Sequence, residues 1–344
     1  MSLSDVLIFA VNSVFPIILL AVVGYFLKVK GLFTKEFLRV GNKTVFNVLL
    51  PVLLFTNLAE VEDFSELSFS SIVYVLVVIL LLVIAGFFVS LTTKDKRQKG
   101  VMLQCTFRSN FALIGVPLAQ LMAGDAGVRY AAMLSAITIP VFNVLGVVVL
   151  SVFLDKKDEE NEKKDTAKRI GRILVGIIKN PLIIGVLAGI LYVLVCKPVY
   201  RSLPADATEF LGKFSFINTT LGYLSKASTP VALLVLGGQF ELGHISLLKR
   251  QISIGCVARL IVAPLIGVGG AAVLAKCGLV NFDNAVFAAF VALFGTPVAV
   301  ASAIMAEEMD NDGDLARQLV VWTTFFSAIT IFIIVALLRA LGLL

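Results

Sequence analysis

The sequence predicts an all-α membrane protein with ten transmembrane helices, and three observations lead to this prediction. Hydrophobic residues make up 59% of the 344 residues and charged residues only 15%, whereas about a quarter of a soluble domain is charged. The apolar residues form stretches of roughly 20, the length of helix that crosses a hydrocarbon core about 30 Å thick. Stretches such as 72–91 are apolar on every side, whereas the strands of a membrane barrel would alternate apolar and polar residues.

Short polar loops separate the ten predicted spans. The spans cover 6–27, 43–59, 69–91, 101–122, 128–153, 173–195, 217–238, 252–275, 284–306 and 317–341. Span 1 lacks a basic segment ahead of it and is followed by Lys28 rather than a small-residue cleavage site, so we interpret it as a membrane helix and not a signal peptide. The long polar segment 155–172 predicts a charged cytoplasmic linker between two five-span units, 1–154 and 173–344.

The distribution of lysine and arginine predicts the orientation. Most basic residues follow spans 1, 3, 5, 7 and 9, whereas the charged residues of the loop 60–66 after span 2 are all acidic. Because cytoplasmic loops are rich in lysine and arginine, we expect both termini outside the plasma (inner) membrane of a multi-pass protein. These loops also account for the net charge of +6. Basic and aromatic residues do not interleave, so we expect the lipid bilayer, and no nucleic acid, as a partner.

Two pairs of spans share proline patterns at nearly the same spacing. Residues 113–119 of span 4 and 293–299 of span 9 both read L-x-G-x-P-x-A, 180 positions apart. Pro51 of span 2 and Pro230 of span 7 form a second pair, 179 positions apart. A unit of five spans starts on one side of the membrane and ends on the other, so a second copy must be inverted. Inverted repeats are typical of secondary transporters.

The Gly-x-Pro steps predict that spans 4 and 9 are broken helices. Pro117 and Pro297 lack an N–H group and clash with the carbonyl four residues earlier, while Gly115 and Gly295 let the backbone open. Freed backbone groups are tolerated in a bilayer only where protein or water covers them. We therefore expect the two breaks to cross near the midplane, with the positive ends of half-helices facing a shared cavity. The alternative interpretation is a pair of simple packing kinks.

Cationic side chains lie inside or beside the apolar spans. Arg108, Lys226 and Arg259 are of this kind, and no carboxylate is plainly placed within a span to neutralise them. A charge at the centre of a bilayer costs about 2.5–3.5 kcal/mol on insertion scales, so it usually faces protein or water. A cavity with fixed cations suits an anion, and guanidinium matches a carboxylate in shape. The alternative is that these side chains extend to the interface from a helix end.

Amide and hydroxyl groups lie near the predicted breaks. Ser109 and Asn110 precede the break in span 4, Asn143 lies in span 5, and Asn47 and Asn57 flank the proline of span 2. Such groups either bind carboxylate oxygens or join helices by hydrogen bonds. The predicted substrate-binding residues are Arg108, Ser109, Asn110, Gly115, Pro117, Asn143, Lys226, Gln239, Gly295, Thr296 and Pro297.

Motifs of catalysis and cofactor binding are absent from the sequence. There is no HExxH, GxxxxGK[ST] or GxSxG, so neither ATP-driven pumping nor hydrolysis is indicated. The run 310–314 resembles the start of a calcium-binding loop, but Val321 stands where that loop has its glutamate. The four cysteines lack CxxC spacing and are interpreted as free thiols. We therefore expect no enzyme activity, metal or cofactor.

Together these residues resemble the auxin efflux carrier family, which includes bacterial malate permease-like proteins and plant PIN proteins. The resemblance extends over nearly the whole chain. It is strongest at 108–118, at 226–230, at 294–299, and at Thr323 and Thr324.

The resemblance implies a fold like that of bile acid sodium symporters and sodium/proton antiporters. Spans 1, 2, 6 and 7 would form a scaffold, which could also form a homodimer. Spans 3–5 and 8–10 would form a transport domain in which spans 4 and 9 cross. The acidic sodium ligands of a bile acid symporter are not evident, which argues against sodium coupling. The short linker 155–172 favours a compact prokaryotic type over the plant exporters, which have a long hydrophilic loop.

The predicted function is secondary transport of small organic anions, either malate-like carboxylates or auxin-like acids. The substrate would bind where spans 4 and 9 cross, and transport would proceed by alternating access, either as uniport or driven by a proton or other gradient. A membrane sensor with a transporter-like site and a passive anion channel are the alternatives.

Overall fold

The computed structural model describes residues 3–59, 68–154, 179–204 and 215–344. The predicted linker 155–172 and the acidic loop 60–66 lie outside these residues. Within the described part of the chain the secondary structure is helical, with one isolated antiparallel bridge between Ser109 and Val298. The predicted all-helical class is confirmed for these residues.

The helices are labelled in chain order. The first half contains α1 (Leu3–Val29), α2 (Lys35–Ala59), α3 (Phe69–Ser90), α4 (Lys96–Phe107) and α5 (Phe111–Val152). The second half contains α6 (Pro181–Tyr200), α7 (Phe216–Gln239), α8 (His244–Lys276), α9 (Asn284–Phe294), α10 (Val300–Glu308) and α11 (Gly313–Ala340).

Polar side chains at the first turns explain where several helices begin. The side chain of Asp95 accepts a hydrogen bond from a backbone N–H in the first turn of α4, and Asp283 does the same for α9. Asn180 caps α6, whose first residue is Pro181. Such caps satisfy N–H groups that have no partner within the helix, and proline is tolerated at this position because it has no N–H group to satisfy.

Six helices among the described residues are long and apolar enough to cross a membrane. They are α2, α3, α5, α6, α8 and α11. Shorter apolar helices cover Phe15–Val29 and Asn284–Phe294. The helix α5 has 42 residues, which is about twice the length of one crossing. It bends sharply at Ala123 and at Gly124, whose φ of +58° is readily adopted by glycine, and this bend falls between predicted spans 4 and 5.

The interruption of predicted span 4 does not lie at its proline. The helix α4 ends at Phe107, residues 108–110 are non-helical, and a widened π-type turn then leads from Phe111 into the rest of α5. The prediction that Gly115 and Pro117 interrupt this helix is therefore wrong. Pro117 stands at the start of the regular α-helical stretch, where a missing N–H group is tolerated.

The interruption of predicted span 9 does lie at its proline. The helix α9 ends at Phe294, and α10 begins only at Val300. Residues 295–299 between them are non-helical and include Pro297. The prediction of a broken helix at the second Gly-x-Pro step is confirmed.

Close helix packing brings together the elements around these breaks. The principal helix pairs are α5 with α9, α1 with α7, and α2 with α6. In the pair α1 and α7, a Cβ atom on Gly237 would stand 1.9 Å from the carbonyl oxygen of Ala21. In the pair α2 and α6, a Cβ atom on Gly185 would stand 2.5 Å from the carbonyl oxygen of Pro51. Small residues let the backbones touch, as is common for helices packed within membranes.

Candidate functional site

The two interruptions lie side by side and complete each other's backbone hydrogen bonds. The N–H of Asn110 donates to the carbonyl oxygen of Pro297 at 2.8 Å, and the N–H of Ala299 donates to the carbonyl oxygen of Arg108 at 3.3 Å. Buried backbone groups need partners, and non-helical backbone at membrane depth persists only where protein or water covers it. Each break thus supplies partners that the other lacks. We call residues 108–110 and 295–299 together the crossing.

The C-terminal ends of α4 and α9 share one cation. Arg259 of α8 has no exposed surface. It donates to the backbone carbonyls of Thr296 (2.8 Å), Thr106 (3.2 Å), Phe107 (3.2 Å), Leu293 (3.2 Å) and Phe294 (3.0 Å). The sequence left open whether Arg259 binds an anion or extends to the interface from a helix end, and its guanidinium is instead bound to backbone.

A cavity of about 100 Å³ borders the crossing, and Arg259 is not among its described lining residues. Its walls come from α2, from the start and the middle of α5, from the start of α6, from α7, and from residues 108–110 and 299–301. Four predicted site residues line it: Arg108, Ser109, Asn110 and Asn143. We call this space the crossing cavity.

Arg108 is a buried cation beside the crossing cavity. Only 4% of the surface of this residue is exposed. One terminal nitrogen donates to Oδ1 of Asn143 at 2.8 Å, and the other contacts the sulfur of Met305. Asn143 is held in this orientation because its Nδ2 donates to the carbonyl oxygen of Ile139 at 2.8 Å. Among the residues that the structure describes, no carboxylate forms an ion pair with Arg108.

Two neighbouring polar groups are buried without partners. The hydroxyl of Ser109 and the amide nitrogen Nδ2 of Asn110 form no hydrogen bond with any described residue. Leaving a buried donor unpaired costs about 1–3 kcal/mol. The three residues that carry these groups, Arg108, Ser109 and Asn110, all line the crossing cavity.

The remaining predicted site residues do not line the crossing cavity. Gly115 packs against α9, where an added Cβ atom would stand 2.5 Å from the carbonyl oxygen of Ala292. Lys226 is exposed on α7, and Gln239 accepts a hydrogen bond of 3.4 Å from Arg317 at the end of that helix. Residues outside the lining are Gly115, Pro117, Lys226, Gln239, Gly295, Thr296 and Pro297.

Asn57 and Thr229 line the crossing cavity although they were not among the predicted site residues. Each lies in an apolar helix near a proline of the second repeated pair, Pro51 in α2 and Pro230 in α7. A polar side chain next to such a proline was the available sequence signal. This signal cannot distinguish a residue that lines a cavity from one that joins two helices. Ser228 is of the second kind, because its hydroxyl donates to the carbonyl oxygen of Leu49 at 2.7 Å.

A second cavity of about 160 Å³ has a different character. It lies between α1, α7 and α11 and is lined almost entirely by apolar side chains, with Tyr25 and Thr324 as its polar members. We call it the apolar groove. Its described lining residues include no cation and no side-chain amide.

These features define a class of protein. Apolar helices of membrane length, two broken helices that cross, and a cavity beside them with several polar lining residues are the features of a multi-pass membrane transport protein. The chain belongs to the family described as "Membrane transport protein", which matches residues 9–335.

Three relatives are similar to the chain. An "Uncharacterized transporter" of Methanothermobacter thermautotrophicus is 24% identical over 322 residues, which cover 93% of this chain and 95% of that protein. "Uncharacterized transporter MJ1031" of Methanocaldococcus jannaschii is 25% identical over 66% of this chain and 67% of its own length. "Protein PIN-LIKES 2" of Arabidopsis thaliana is 32% identical over 34% of this chain and 26% of its own length. The predicted resemblance to the auxin efflux carrier family is confirmed.

Proposed function

We propose that the protein is a secondary transporter of small organic anions and that the carboxylate of the substrate binds in the crossing cavity. The observation that carries this proposal is that one cavity is lined by Arg108, whose buried guanidinium has no described carboxylate partner, and by Asn110, whose amide nitrogen has no described hydrogen-bond partner. Hydrogen bonds between charged groups contribute about 1.5–3 kcal/mol each, roughly twice the value for neutral pairs. A bound carboxylate would supply the missing charge and the missing acceptors.

The direction of the helices around the crossing cavity supports an anionic substrate. The cavity is lined by residues 111–113, at the start of α5, and by residues 299–301, at the start of α10. Helix N-termini carry partial positive charge and N–H groups without partners in the helix. The C-terminal ends of α4 and α9 face Arg259 instead. The carbonyls at these negative ends are thus bound by a cation of the protein.

The helix pairing supports two inverted five-span repeats. Under the proposed repeat, span 1 corresponds to span 6 and span 2 to span 7. The symmetry-related counterpart of the helix pair α1 and α7 is then the pair α6 and α2. Both pairs are principal packing contacts. These four helices would form the scaffold, because their close packing is what a rigid unit needs. The scaffold would also provide the surface for a homodimer. The remaining helices would form the transport domain that carries the crossing.

Polar contacts between the two proposed domains gather at one end of the molecule. Asn42 of α2 donates to Glu308 at the end of α10 at 2.7 Å, and Arg317 of α11 contacts Gln239 of α7 at 3.4 Å. This end is the cytoplasmic one if the basic loops lie inside and both termini lie outside the plasma membrane. In alternating access these contacts would break when the transport domain opens the cavity to the cytoplasm.

The test is transport by the full chain in proteoliposomes. We expect saturable uptake and counterflow of at least one small carboxylate from a panel of radiolabelled malate, succinate, lactate and indole-3-acetate, with the uncharged sugar sorbitol as the negative control. A pH gradient applied in parallel identifies proton coupling. Uptake that does not saturate and shows no counterflow would indicate a channel, and binding without flux would indicate a sensor. Either result would contradict the proposal.

A further inference from the structure

We infer that Arg259 is a resident cation of the crossing: its guanidinium group fills a cage of backbone carbonyls that a transported metal cation would otherwise occupy. In transporters built from broken helices, unwound carbonyls and the C-terminal ends of half-helices commonly coordinate the coupling cation. Here the carbonyls at the ends of α4 and α9 converge on a side chain of the protein itself. The crossing therefore needs no metal cation and has no room for one in this cage.

The hydrogen bonds of Arg259 are complete. A guanidinium group has five N–H donors in a fixed planar arrangement. The five donors match five carbonyl oxygens at 2.8–3.2 Å, three from residues 293–296 and two from Thr106 and Phe107. No donor is left to bind a substrate, and the group has no exposed surface. Arg259 is thus a positioning residue that acts through the backbone of the crossing.

The charge of Arg259 also matches its surroundings. The C-terminal end of a helix carries about half a negative charge, so the ends of α4 and α9 together present about one. Among the described residues no carboxylate forms an ion pair with Arg259. The side chain is always protonated, so the cage holds a permanent positive charge without any ion from solution.

The two buried arginines therefore have opposite roles. All the N–H donors of the Arg259 guanidinium are bound to backbone, whereas that of Arg108, among the described residues, has hydrogen bonds only to Asn143 and to the sulfur of Met305. Arg259 holds the ends of the broken helices together, and Arg108 remains available to an anion. This inference deepens the proposed function, and its test does not depend on transport.

The experiment measures thermal unfolding of the full chain in detergent, with choline chloride as the base salt. Arg259→Ala removes the guanidinium group from the cage of carbonyls. Arg259→Lys keeps the positive charge but not the planar arrangement of five N–H donors. Arg97→Ala is the matched control. Arg97 also donates to two backbone carbonyls, those of Asp310 and Asn311, but at an exposed end of the molecule. Each variant is measured alone, with millimolar guanidinium chloride, which is far below denaturing concentrations, and with sodium chloride.

We expect Arg259→Ala to melt more than about 5 °C below the wild type, and guanidinium to restore at least half of this loss. Arg259→Lys should lose less, and Arg97→Ala should lose little and gain nothing from guanidinium. Replacing choline by sodium should change neither the melting temperature of the wild type nor its uptake of carboxylate.

Three results would overturn the inference. The first is an Arg259→Ala protein as stable as the wild type. The second is an Arg259→Ala protein that melts at the same temperature with and without guanidinium. The third is a wild-type protein whose melting temperature rises with sodium. If Arg259→Ala cannot be purified, Arg259→Lys provides the test. A lysine variant as stable as the wild type would show that the five hydrogen bonds of the guanidinium group are not needed, which would contradict the inference. Absence of carboxylate uptake would contradict the proposed function and leave these stability results in force.

Discussion

Replacing Arg108 by glutamine is expected to lower carboxylate uptake at low substrate concentration by about 10- to 100-fold. The substitution keeps a long polar side chain but removes the charge that the substrate would neutralise. A charge-assisted hydrogen bond is worth about 1.5–3 kcal/mol, and each 1.4 kcal/mol corresponds to a factor of ten in affinity. The measurement is the initial rate of uptake of the best substrate of the panel, with protein amounts matched between vesicles.

The control for this prediction is Arg250→Gln. Arg250 lies on the exposed surface of α8, so the same change of charge there should leave uptake within about twofold of the wild type, as is usual for exposed charges. Arg108→Lys should retain more uptake than Arg108→Gln because it keeps the charge. Equal uptake by Arg108→Gln and the wild type would show that the substrate does not depend on this guanidinium.

Replacing Asn110 is expected to have the second large effect, and two variants separate its causes. Asn110→Ala removes the unpaired Nδ2 donor and should raise the substrate concentration for half-maximal uptake about tenfold. Asn110→Asp keeps the size but adds a negative charge, so it should reduce uptake of a carboxylate further. Neither change removes the bond from the backbone N–H of Asn110 to Pro297, so the crossing should stay intact.

The matched control is Asn47→Ala. Asn47 lies exposed on α2, and its Nδ2 already donates to the carbonyl oxygen of Lys43 at 2.8 Å. Loss of this amide should change uptake little. Uptake by Asn110→Ala that matches the wild type in both maximal rate and half-saturation would contradict a role for Asn110 in substrate binding.

The sequence predicted part of the polar lining of the cavity because the relevant signals are local. Arg108, Ser109, Asn110 and Asn143 are polar residues within or beside apolar spans, and such residues usually face protein or water rather than lipid. All four line the crossing cavity. Composition and span length were likewise enough to predict an all-helical membrane protein.

The position of the first break could not be derived from the proline rule. The rule describes an ideal α-helix in which proline removes one hydrogen bond and causes a clash. The chain instead widens into a π-type turn at 111–115, and Pro117 follows at the start of a regular α-helical stretch. The bonds of Asn110 and Ala299 across the crossing then stabilise a break further upstream. These bonds depend on tertiary contact and leave no local pattern.

The separate roles of the two buried arginines were also invisible in the sequence. Arg108 and Arg259 both lie within or beside apolar spans, and for both the sequence left open an anion-binding role or an extension to the interface. The difference arises only where the ends of α4 and α9 meet and present their carbonyls to Arg259. Arg259 lies about 150 positions from Thr106, one of the residues whose carbonyls form this cage. Spacing along the chain therefore could not predict the cage.

The central claim is that the substrate carboxylate lies between Arg108 and Asn110, and its most direct test is to locate a bound substrate. The experiment is a structure of the full chain with a bromine-labelled analogue of the best carboxylate, in which anomalous scattering marks the bromine. We expect the carboxylate to contact the Arg108 guanidinium and the Asn110 amide within the crossing cavity. An analogue bound in the apolar groove between α1, α7 and α11, with the crossing cavity empty, would contradict the account.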